Sequence, residues 1–322
     1  MSVSPSLQKK LLFWFEKNKR SLPWRETKDP YKIWVSEVML QQTTSKAVIP
    51  YYKKFLEKFP NLDSLAQANQ KQVFSLWAGL GYYNRAENLI KSAKIIQKQK
   101  KFPQSHKELL KLPGFGPYTA RAVSSLAFEE PVGVLDGNVI RFLSRFYALE
   151  IEHWKLKERN KLQELSSKWV QKQKASQVNQ ALMEIGSLIC TSPKPLCLLC
   201  PLRKECKAYK KGLQEELPLK KEKKATEFWH YQAERIKKQN KWAFVRNKHM
   251  PFLKGQLLFP GLSKKLNHKI KNYDFKHSIM NYQIFITVKD GLKQPQTQFK
   301  WYSQAQIQEI NPSSLIKKVL DF

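Results

Sequence analysis

All four cysteines of this 322-residue chain fall within seventeen residues, and no other sequence feature constrains the fold as strongly. They are Cys190, Cys197, Cys200 and Cys206, spaced C-x6-C-x2-C-x5-C. Disulfide frameworks spread their cysteines through small secreted chains, whereas thiolates this close together can surround one metal centre. A [4Fe–4S] cluster and a tetrahedral zinc ion both accept four sulfurs, and a loop without metal is the third alternative. Zinc sites usually pair two C-x2-4-C knuckles and only one is present, so the spacing favours an iron–sulfur loop over 190–206.

The charge of the chain is the next constraint. Lys and Arg number 58 against 26 Asp and Glu, and the net charge of +32 indicates a polyanionic partner such as nucleic acid. The alternative is that lysine coats every surface without a specific role. No apolar run approaches the ~20 residues of a membrane span, and no signal peptide is recognisable. We therefore expect a cytoplasmic protein without a membrane partner.

The spacing of the apolar residues changes along the chain. Over 1–211 they recur every three to four residues, which predicts an all-helical domain. The charged stretch 212–227 has no periodic apolar face and is typical of a linker. Over 228–322 the period becomes two, which predicts a smaller α+β domain with a strand at Tyr282–Lys289 and a last helix at Ser313–Leu320. The expected fold class is mainly α, with a small α+β domain after the linker.

A helical hairpin is predicted over 105–127. A Ser-x-x-Glu capping box opens a short helix, and a proline begins a second helix after the turn Leu-Pro-Gly-Phe-Gly. Gly114 and Gly116 of that turn expose backbone N–H groups at a helix N-terminus, which suits a phosphate oxygen. A turn of this kind also occurs in αα-corners that bind nothing.

Two acidic residues are candidates for general acid–base chemistry. Glu37 lies in a segment whose helical neighbours are apolar or amide side chains, and burial there would raise the pKa of its carboxyl. The ordinary alternative is a solvated glutamate on a surface helix. Asp136 precedes Gly-Asn and an amphipathic helix, a place where an aspartate is often only an N-cap.

Seven segments in one order resemble the MutY-type adenine DNA glycosylases, in the iron–sulfur branch of the helix-hairpin-helix DNA glycosylase superfamily. They are Leu22–Arg25, Trp34–Thr43, Trp77–Tyr83, Leu112–Ala122, Asp136–Arg141, Asn179–Glu184 and the four cysteines. The resemblance runs over essentially the whole chain. It implies a monomeric base-excision repair hydrolase of the bacterial cytoplasm or nucleoid, which removes adenine mispaired with 8-oxoguanine or guanine in double-stranded DNA. It also implies one [4Fe–4S] cluster per chain, held by the four cysteines.

The resemblance assigns three catalytic residues. It implies that Glu37 protonates the leaving adenine at N7 and that Asp136 stabilises the oxocarbenium-like sugar, as paired carboxylates do in glycosidases. Tyr118 is expected beside the sugar, with a hydrogen bond to Asp136. In the related endonuclease III branch a lysine at this place attacks the sugar. A phenol cannot form an imine, so strand cleavage by that route is excluded.

Other residues are expected to bind the substrate. The resemblance implies that the pocket for the extruded base is lined by Trp24, Arg25, Leu40 and Glu184. It also implies that two side chains, Gln42 and Tyr82, enter the duplex beside the 8-oxoguanine. The full set expected to contact DNA is Gln41, Gln42, Thr43, Tyr82, Gly114, Gly116, Lys276 and His277.

The region 228–322 resembles the family's Nudix-like module, which reads 8-oxoguanine. Its segment Phe275–His277 fits a Phe-Ser-His loop, except that Lys276 stands where serine is expected. We therefore expect damage recognition to be altered rather than lost. No acidic pyrophosphatase motif is present, so Nudix hydrolysis is not expected.

Two rival functions stay open. A bifunctional glycosylase/lyase is the nearest alternative, and Tyr118 argues against it. A non-enzymatic DNA-binding protein, with the hairpin and the cysteine centre as structural staples, is the other. Such a protein has no use for a carboxyl on an apolar helix face, and Glu37 therefore argues for an enzyme.

Overall fold

The computed structural model describes residues 3–170, 174–222, 225–291, 299–311 and 313–322. The chain divides into two compact units, Met1–Lys221 and Glu222–Phe322, each with its own apolar core. The division falls inside the segment 212–227 that we expected to be a linker. Within the described ranges, no helix has both the length and the apolar character needed to cross a membrane.

The first unit is helical, as its apolar period predicts. Its α-helices are α1 (Pro5–Asn18), α2 (Pro30–Met39), α3 (Ser45–Lys58), α4 (Leu62–Gln67), α5 (Gln70–Trp77), α6 (Asn84–Gln99), α7 (His106–Leu109), α8 (Pro117–Phe128), α9 (Gly137–Tyr147), α10 (Leu156–Val170), α11 (Ala175–Leu188) and α12 (Lys207–Lys211). It also contains the short 3-10 helices Pro23–Arg25, Cys197–Leu199 and Arg203–Glu205.

The helical hairpin expected over 105–127 consists of α7, a tight turn and α8. The capping box is confirmed, because Ser105 Oγ accepts from the Glu108 N–H and the Glu108 carboxylate accepts from the Ser105 N–H. A proline opens α8, as expected. His106 Nδ1 lies 2.7 Å from Glu130 Oε1, beyond the end of α8, and this contact joins the two ends of the hairpin.

The hairpin turn is anchored on α2 by aromatic packing. The Trp34 ring of α2 stacks on the Phe115 ring of the turn, with centroids 5.1 Å apart and planes at 20°. Both rings are buried in the core of the helical unit. Aromatic pairs of this size contribute about 1 kcal/mol beyond their burial. Glu37 lies about one helical turn after Trp34, so the same contact brings its carboxyl against α8.

The described residues of the second unit form two sheets and two helices. Its elements are β1 (Glu227–Arg235), β2 (Lys237–Lys238), β3 (Lys241–Arg246), β4 (Leu257–Leu258), β5 (Gly261–Leu266), β6 (Phe275–Ile279), β7 (Tyr282–Asp290), β8 (Lys300–Tyr302), α13 (Gln304–Ile310) and α14 (Ser314–Asp321). The strand expected at Tyr282–Lys289 and the helix expected at Ser313–Leu320 are confirmed within one residue.

The larger sheet has the strand order β5-β1-β7-β6. Its central pair, β1 and β7, is parallel, and Tyr231 stands opposite Ile286 in that pair. Both outer strands are antiparallel to their neighbours. The second sheet has the order β2-β3-β4, with β8 also paired to β3. Helices α13 and α14 supply Ile307 and Leu315 to the shared core.

One structural expectation in this unit is wrong. The segment Phe275–His277 was expected to form a loop, but it opens strand β6, where Lys276 stands opposite Phe285 of β7. The reason is its alternating pattern. Phe275 and Ile279 pack on the core while Lys276 between them is exposed, and this period of two suits a half-buried strand.

Gly186 of α11 supports the start of α9, and we expect Gly186→Ala to destabilise the fold. A Cβ at this position would lie 2.7 Å from Asn138 O and 2.8 Å from Asn138 Cβ, closer than side chains tolerate. The free energy of unfolding should fall by about 1–3 kcal/mol, as for other overpacked sites, in urea denaturation. Gly137→Ala is the matched control, because a Cβ there meets nothing within 4 Å. Equal stability of the two variants would contradict this account.

Candidate active site

A cavity of about 740 Å³ opens among the helices of the first unit. Its walls come from the 3-10 helix Pro23–Arg25, from α2 and the loop after it, from the start of α8, from the residues that open α9, and from α11. Glu37, Tyr118 and Asp136 all line this cavity. The volume lies in the usual range of small-molecule sites and is ample for a purine base.

Glu37 is buried on α2, with 4% of its surface exposed. Burial, together with a smaller effect of the nearby Asp136 carboxylate, raises the pKa of its carboxyl to about 7. The Tyr118 hydroxyl donates a 2.8 Å hydrogen bond to Glu37 Oε2, which partly offsets the effect of burial. The carboxyl can therefore hold a proton near neutral pH, as a general acid must. The alternative of a solvated surface glutamate does not apply.

Tyr118 bonds to a different carboxylate from the one we expected. Its hydroxyl points to Glu37, with Met183 Sδ as a second neighbour at 3.5 Å, and no hydrogen bond joins it to Asp136. A phenol has one proton to donate, and the packing of α2 on α8 brings Glu37 closest. Burial and the Glu37 charge raise the pKa of the Tyr118 phenol well above its usual range, so Tyr118 stays a neutral donor.

Asp136 is the N-cap of α9 and also faces the cavity. Its Oδ1 accepts from the Val139 N–H at 2.7 Å, and its Oδ2 accepts from Asn138 Nδ2 at 2.9 Å. The N-cap alternative is thus correct, but it does not remove the carboxylate from the site. Burial raises the pKa of Asp136 above its ordinary value of 3.8, against the effect of these two hydrogen bonds.

Glu184 lies at the wall of the cavity between two arginines. It is fully buried, and its Oε2 accepts from Arg25 Nη2 at 2.7 Å and from Arg20 Nη2 at 2.8 Å. Although burial opposes ionisation, hydrogen bonds from Arg20 and Arg25 lower the pKa of Glu184 to about 2. This carboxylate is therefore charged at neutral pH. Arg20 was not among the residues singled out in the sequence, because nothing in the segment before Leu22 reveals its partner on α11.

The loop after α2 forms the rim of the cavity. Leu40, Gln41, Gln42 and Thr43 all line it, together with Trp24 from the 3-10 helix. Gln41 Nε2 donates to Thr119 Oγ1 at 3.2 Å, which ties the loop to α8. Gln42 is exposed and has a left-handed backbone, with φ +59°.

The other residues expected to bind DNA lie outside the cavity wall. Tyr82 is 63% exposed, with φ +50°, in the loop between α5 and α6. Gly114 and Gly116 are exposed in the hairpin turn. Lys276 and His277 belong to β6 of the second unit. Within the first unit, the structure therefore brings the catalytic candidates and the expected base pocket together, while Tyr82, Gly114 and Gly116 lie outside the cavity wall.

The four cysteines line a second, smaller cavity of the first unit. In the described part of the chain, no group of three or more Cys, His, Asp or Glu side chains is arranged to hold one metal ion. The four thiols around a shared cavity form an all-sulfur donor set, which both an iron–sulfur cluster and a tetrahedral zinc ion accept.

Arg145 of α9 holds the cysteine loop in place. Its Nη1 donates to Thr191 O at 2.7 Å and lies 3.4 Å from Cys190 Sγ, and its Nε donates to Leu217 O at 2.8 Å. These hydrogen bonds fix the backbone of the loop at Thr191 and that of the segment after it at Leu217. Since Asp136 caps the other end of α9, one helix joins the cysteine loop to the cavity.

Known proteins share both the sequence and the fold. Residues 35–172 match the HhH-GPD superfamily of base excision DNA repair proteins. The chain is 40% identical to the adenine DNA glycosylase of Buchnera aphidicola subsp. Schizaphis graminum, over 83% of this chain and 80% of that protein. It is 35% identical to the enzyme of the same name from Buchnera aphidicola subsp. Baizongia pistaciae, over 86% and 83% of the two chains.

Two solved structures are similar to about two thirds of the chain. A thermostable thymine-DNA glycosylase is similar over 64% of this chain and 96% of its own, with a TM-score of 0.59 and 30% identity. Endonuclease III in a non-covalent complex with DNA is similar over 65% of this chain and 96% of its own, with a TM-score of 0.53 and 22% identity. The second match supports the fold alone.

The buried Glu37 should lower stability at alkaline pH, and we expect Glu37→Gln to restore it. The unfolded carboxyl loses its proton above about pH 4.5, whereas the folded one keeps it up to about pH 7. The free energy of unfolding of the parent protein therefore falls across this window. At pH 8 the variant should be more stable by up to about 3 kcal/mol, and at pH 4 the two should be equal.

Urea denaturation of both proteins at pH 4, 6 and 8 measures this difference. Glu57→Gln is the matched control, because Glu57 is exposed on α3 and its replacement should change little at any pH. A Glu37→Gln effect that is the same at pH 4 and pH 8 would show that burial of the charge is not its cause.

Proposed function

Because this chain belongs to the adenine DNA glycosylases of the HhH-GPD base excision DNA repair superfamily, we propose that its substrate is adenine mispaired with 8-oxoguanine or guanine in double-stranded DNA. As a glycosylase it hydrolyses the N-glycosidic bond of adenine. The reaction proposed here is monofunctional: a monomer extrudes the base into the cavity, releases it and leaves an abasic site. One observation carries this proposal most directly, namely a protonatable Glu37 and the Asp136 carboxylate in the same cavity.

Glu37 is proposed as the general acid. A carboxyl with a pKa of about 7 is protonated in a large fraction of molecules at neutral pH. It transfers this proton to N7 of adenine, so that the base leaves as a neutral molecule rather than as an anion. The Tyr118 hydroxyl then stabilises the carboxylate that forms, because its hydrogen bond to Oε2 is already in place.

Asp136 is proposed to stabilise the sugar as the bond to the base breaks. The N–H of Val139 and the amide of Asn138 orient its carboxylate before the substrate arrives. Negative charge near C1′ favours the oxocarbenium-like transition state, as in glycosidases. Water then adds to C1′ and gives its proton to the Glu37 carboxylate, which restores the acid. Base and water are thus exchanged without net consumption of a proton.

Lys28 is the amine to consider for the rival lyase function, because it lies at the cavity wall. Its Nζ donates to Glu129 Oε1 at 2.9 Å, to Ser176 Oγ at 3.0 Å and to Leu126 O at 3.2 Å. An ammonium group with three acceptors is a poor nucleophile. With Tyr118 in place of the branch's lysine, this arrangement favours hydrolysis without strand cleavage.

A [4Fe–4S] cluster is proposed as the cofactor, with Cys190, Cys197, Cys200 and Cys206 as its ligands. Burial raises the pKa of the Cys200 thiol to about 12, so this residue stays protonated unless a metal displaces the proton. The cluster would cross-link the loop over 190–206 through its four cysteine ligands. Base release needs no electron transfer, and the steps assigned to Glu37 and Asp136 do not involve it.

The second unit is proposed to be a Nudix-like module that contacts the strand opposite adenine. Lys276 is exposed on β6, whereas its neighbour His277 is half-buried. An ammonium group in this position suits a phosphate oxygen. We therefore assign Lys276 to the DNA backbone beside the lesion rather than to the 8-oxoguanine base itself.

Single-turnover reactions on a duplex with adenine opposite 8-oxoguanine test the proposed function. A strand break should appear only after alkali, because hydrolysis leaves an intact abasic strand. Asp136→Asn should slow base release by about a thousandfold or more. Its DNA affinity should stay within about threefold of the parent, because asparagine also caps helices well.

Asp29→Asn is the matched control, since Asp29 caps α2 in the same way and does not line the cavity. It should leave the rate of base release unchanged. A strand break without alkali would favour the bifunctional glycosylase/lyase instead. If Asp136→Asn lost both DNA binding and activity, Asp136 would have only a structural role as the N-cap of α9.

The rate of base release should depend on the protonation of both carboxyls. Above about pH 7 it should fall about tenfold per pH unit, as Glu37 loses its proton. At acid pH it should fall as Asp136 becomes protonated, at a pH above that of an ordinary aspartate. Glu37→Gln should abolish the alkaline limb along with most of the activity. If the remaining activity of Glu37→Gln still falls at alkaline pH, the fall is caused by a group other than Glu37.

A further inference from the structure

Arg85, near the start of α6, lies against the C-terminal end of α2. Its Nη1 donates to three carbonyl oxygens, those of Val38 at 2.9 Å, Met39 at 3.2 Å and Gln41 at 2.6 Å. The last carbonyls of a helix have no partner within the helix and form the negative end of its dipole. One guanidinium nitrogen thus caps α2 and holds the loop that follows it.

The other terminal nitrogen of Arg85 holds the loop between α5 and α6. Its Nη2 donates to Leu80 O at 3.0 Å and to Gly81 O at 3.3 Å. The guanidinium also lies over two aromatic rings, 5.4 Å from the centroid of Tyr82 and 5.6 Å from that of Trp77. The Trp77 indole N–H donates to the same Gly81 oxygen at 3.1 Å. Arg85 therefore bridges two loops that are far apart in sequence.

The two bridged loops share an unusual backbone. Gln42 and Tyr82 both lie in the left-handed region, with φ +59° and +50°, which residues other than glycine seldom adopt. The residue before each of them, Gln41 or Gly81, gives its carbonyl to Arg85. That carbonyl shares a peptide plane with the N–H of the left-handed residue. A hydrogen bond to it therefore fixes the orientation from which Gln42 or Tyr82 projects.

Arg85 binds backbone carbonyl oxygens rather than carboxylates. Among the residues that the structure describes, it forms no ion pair, and carbonyl dipoles and two rings surround its guanidinium. A planar fork with several donors can reach two loops at once, which a lysine ammonium cannot do. Since both terminal nitrogens are occupied, Arg85 is not placed to bind a phosphate.

We propose that Arg85 is a positioning residue for base extrusion, which presets Gln42 and Tyr82 as a pair so that both side chains enter the duplex together. This inference rests on the proposed function and on the expectation, implied by the family resemblance, that these two side chains enter the duplex beside the 8-oxoguanine. It adds that one side chain, without contact to DNA, holds both of them in place before the substrate binds.

Extrusion can be measured apart from chemistry. The full chain carrying Asp136→Asn, which blocks base release, is mixed with a duplex that has 2-aminopurine in place of adenine opposite 8-oxoguanine. The fluorescence of 2-aminopurine rises when the base leaves the stack. Arg85→Met should lower the ratio of extruded to stacked base by about tenfold or more. This factor corresponds to the loss of one hydrogen bond to a charged group. Affinity for undamaged duplex should stay within about twofold, because Arg85 does not face a phosphate.

Two further variants separate positioning from charge. Lys91→Met is the matched control, because it removes an exposed positive charge from the same helix and should leave extrusion unchanged. Arg85→Lys keeps the charge but cannot bridge both loops, so extrusion should fall as in Arg85→Met. If Arg85→Lys extrudes the base as well as the parent does, the bridging role is wrong. This variant also keeps the test decisive should Arg85→Met fail to fold.

A double-mutant cycle tests the pairing itself. Tyr82→Ala should also reduce extrusion, and the double variant with Arg85→Met should be little worse than the poorer single variant. Fully additive effects, or normal extrusion by Tyr82→Ala, would overturn the proposed role of Arg85. Failure of the proposed function is seen separately. In that case the Asp136→Asn parent gives no fluorescence rise on the mispaired duplex, and the proposed role of Arg85 is wrong as well.

Discussion

Burial of the Glu37 carboxyl is the constraint on which the rest of the helical unit depends. A carboxyl withdrawn from water favours its neutral form, and only a closely packed wall can keep water away. The stack of Trp34 on Phe115 provides that wall, because it holds α2 against the hairpin. Among the residues that the structure describes, the Tyr118 hydroxyl provides the one hydrogen bond that the carboxyl receives from a side chain. The same packing that lowers stability at alkaline pH thus creates a proton donor.

Three acids around one cavity acquire three different properties from their surroundings. Glu37 is held in an apolar wall and titrates near neutrality, whereas Glu184 lies between two arginines and stays charged. Asp136 occupies an intermediate position, because backbone and amide donors oppose the effect of burial. Acid and base roles on one fold are usually separated in this way. Their assignment depends on the partners of each carboxyl more than on the carboxyls themselves.

Local signals in the sequence predicted much of the fold. The capping box at Ser105 and the apolar periods depend on neighbouring residues, so the hairpin and the strand at Tyr282 could be read directly. Contacts between distant segments could not. The partner of Tyr118 depends on how α2 meets α8, and the role of Arg20 depends on a carboxylate on α11. Arg85 was missed for the same reason, because its acceptors are backbone carbonyls that no side-chain motif reveals.

The larger sheet of the second unit ends in two open edges, the strands β5 and β6, within the part of the chain that the structure describes. An open edge can pair with the edge of another copy and begin aggregation. Exposed lysines stand on both edges, Lys264 and Lys265 on β5 and Lys276 on β6. Two copies that approached edge to edge would bring these like charges together. Repulsion between these lysines would oppose such self-association, and this effect does not depend on DNA.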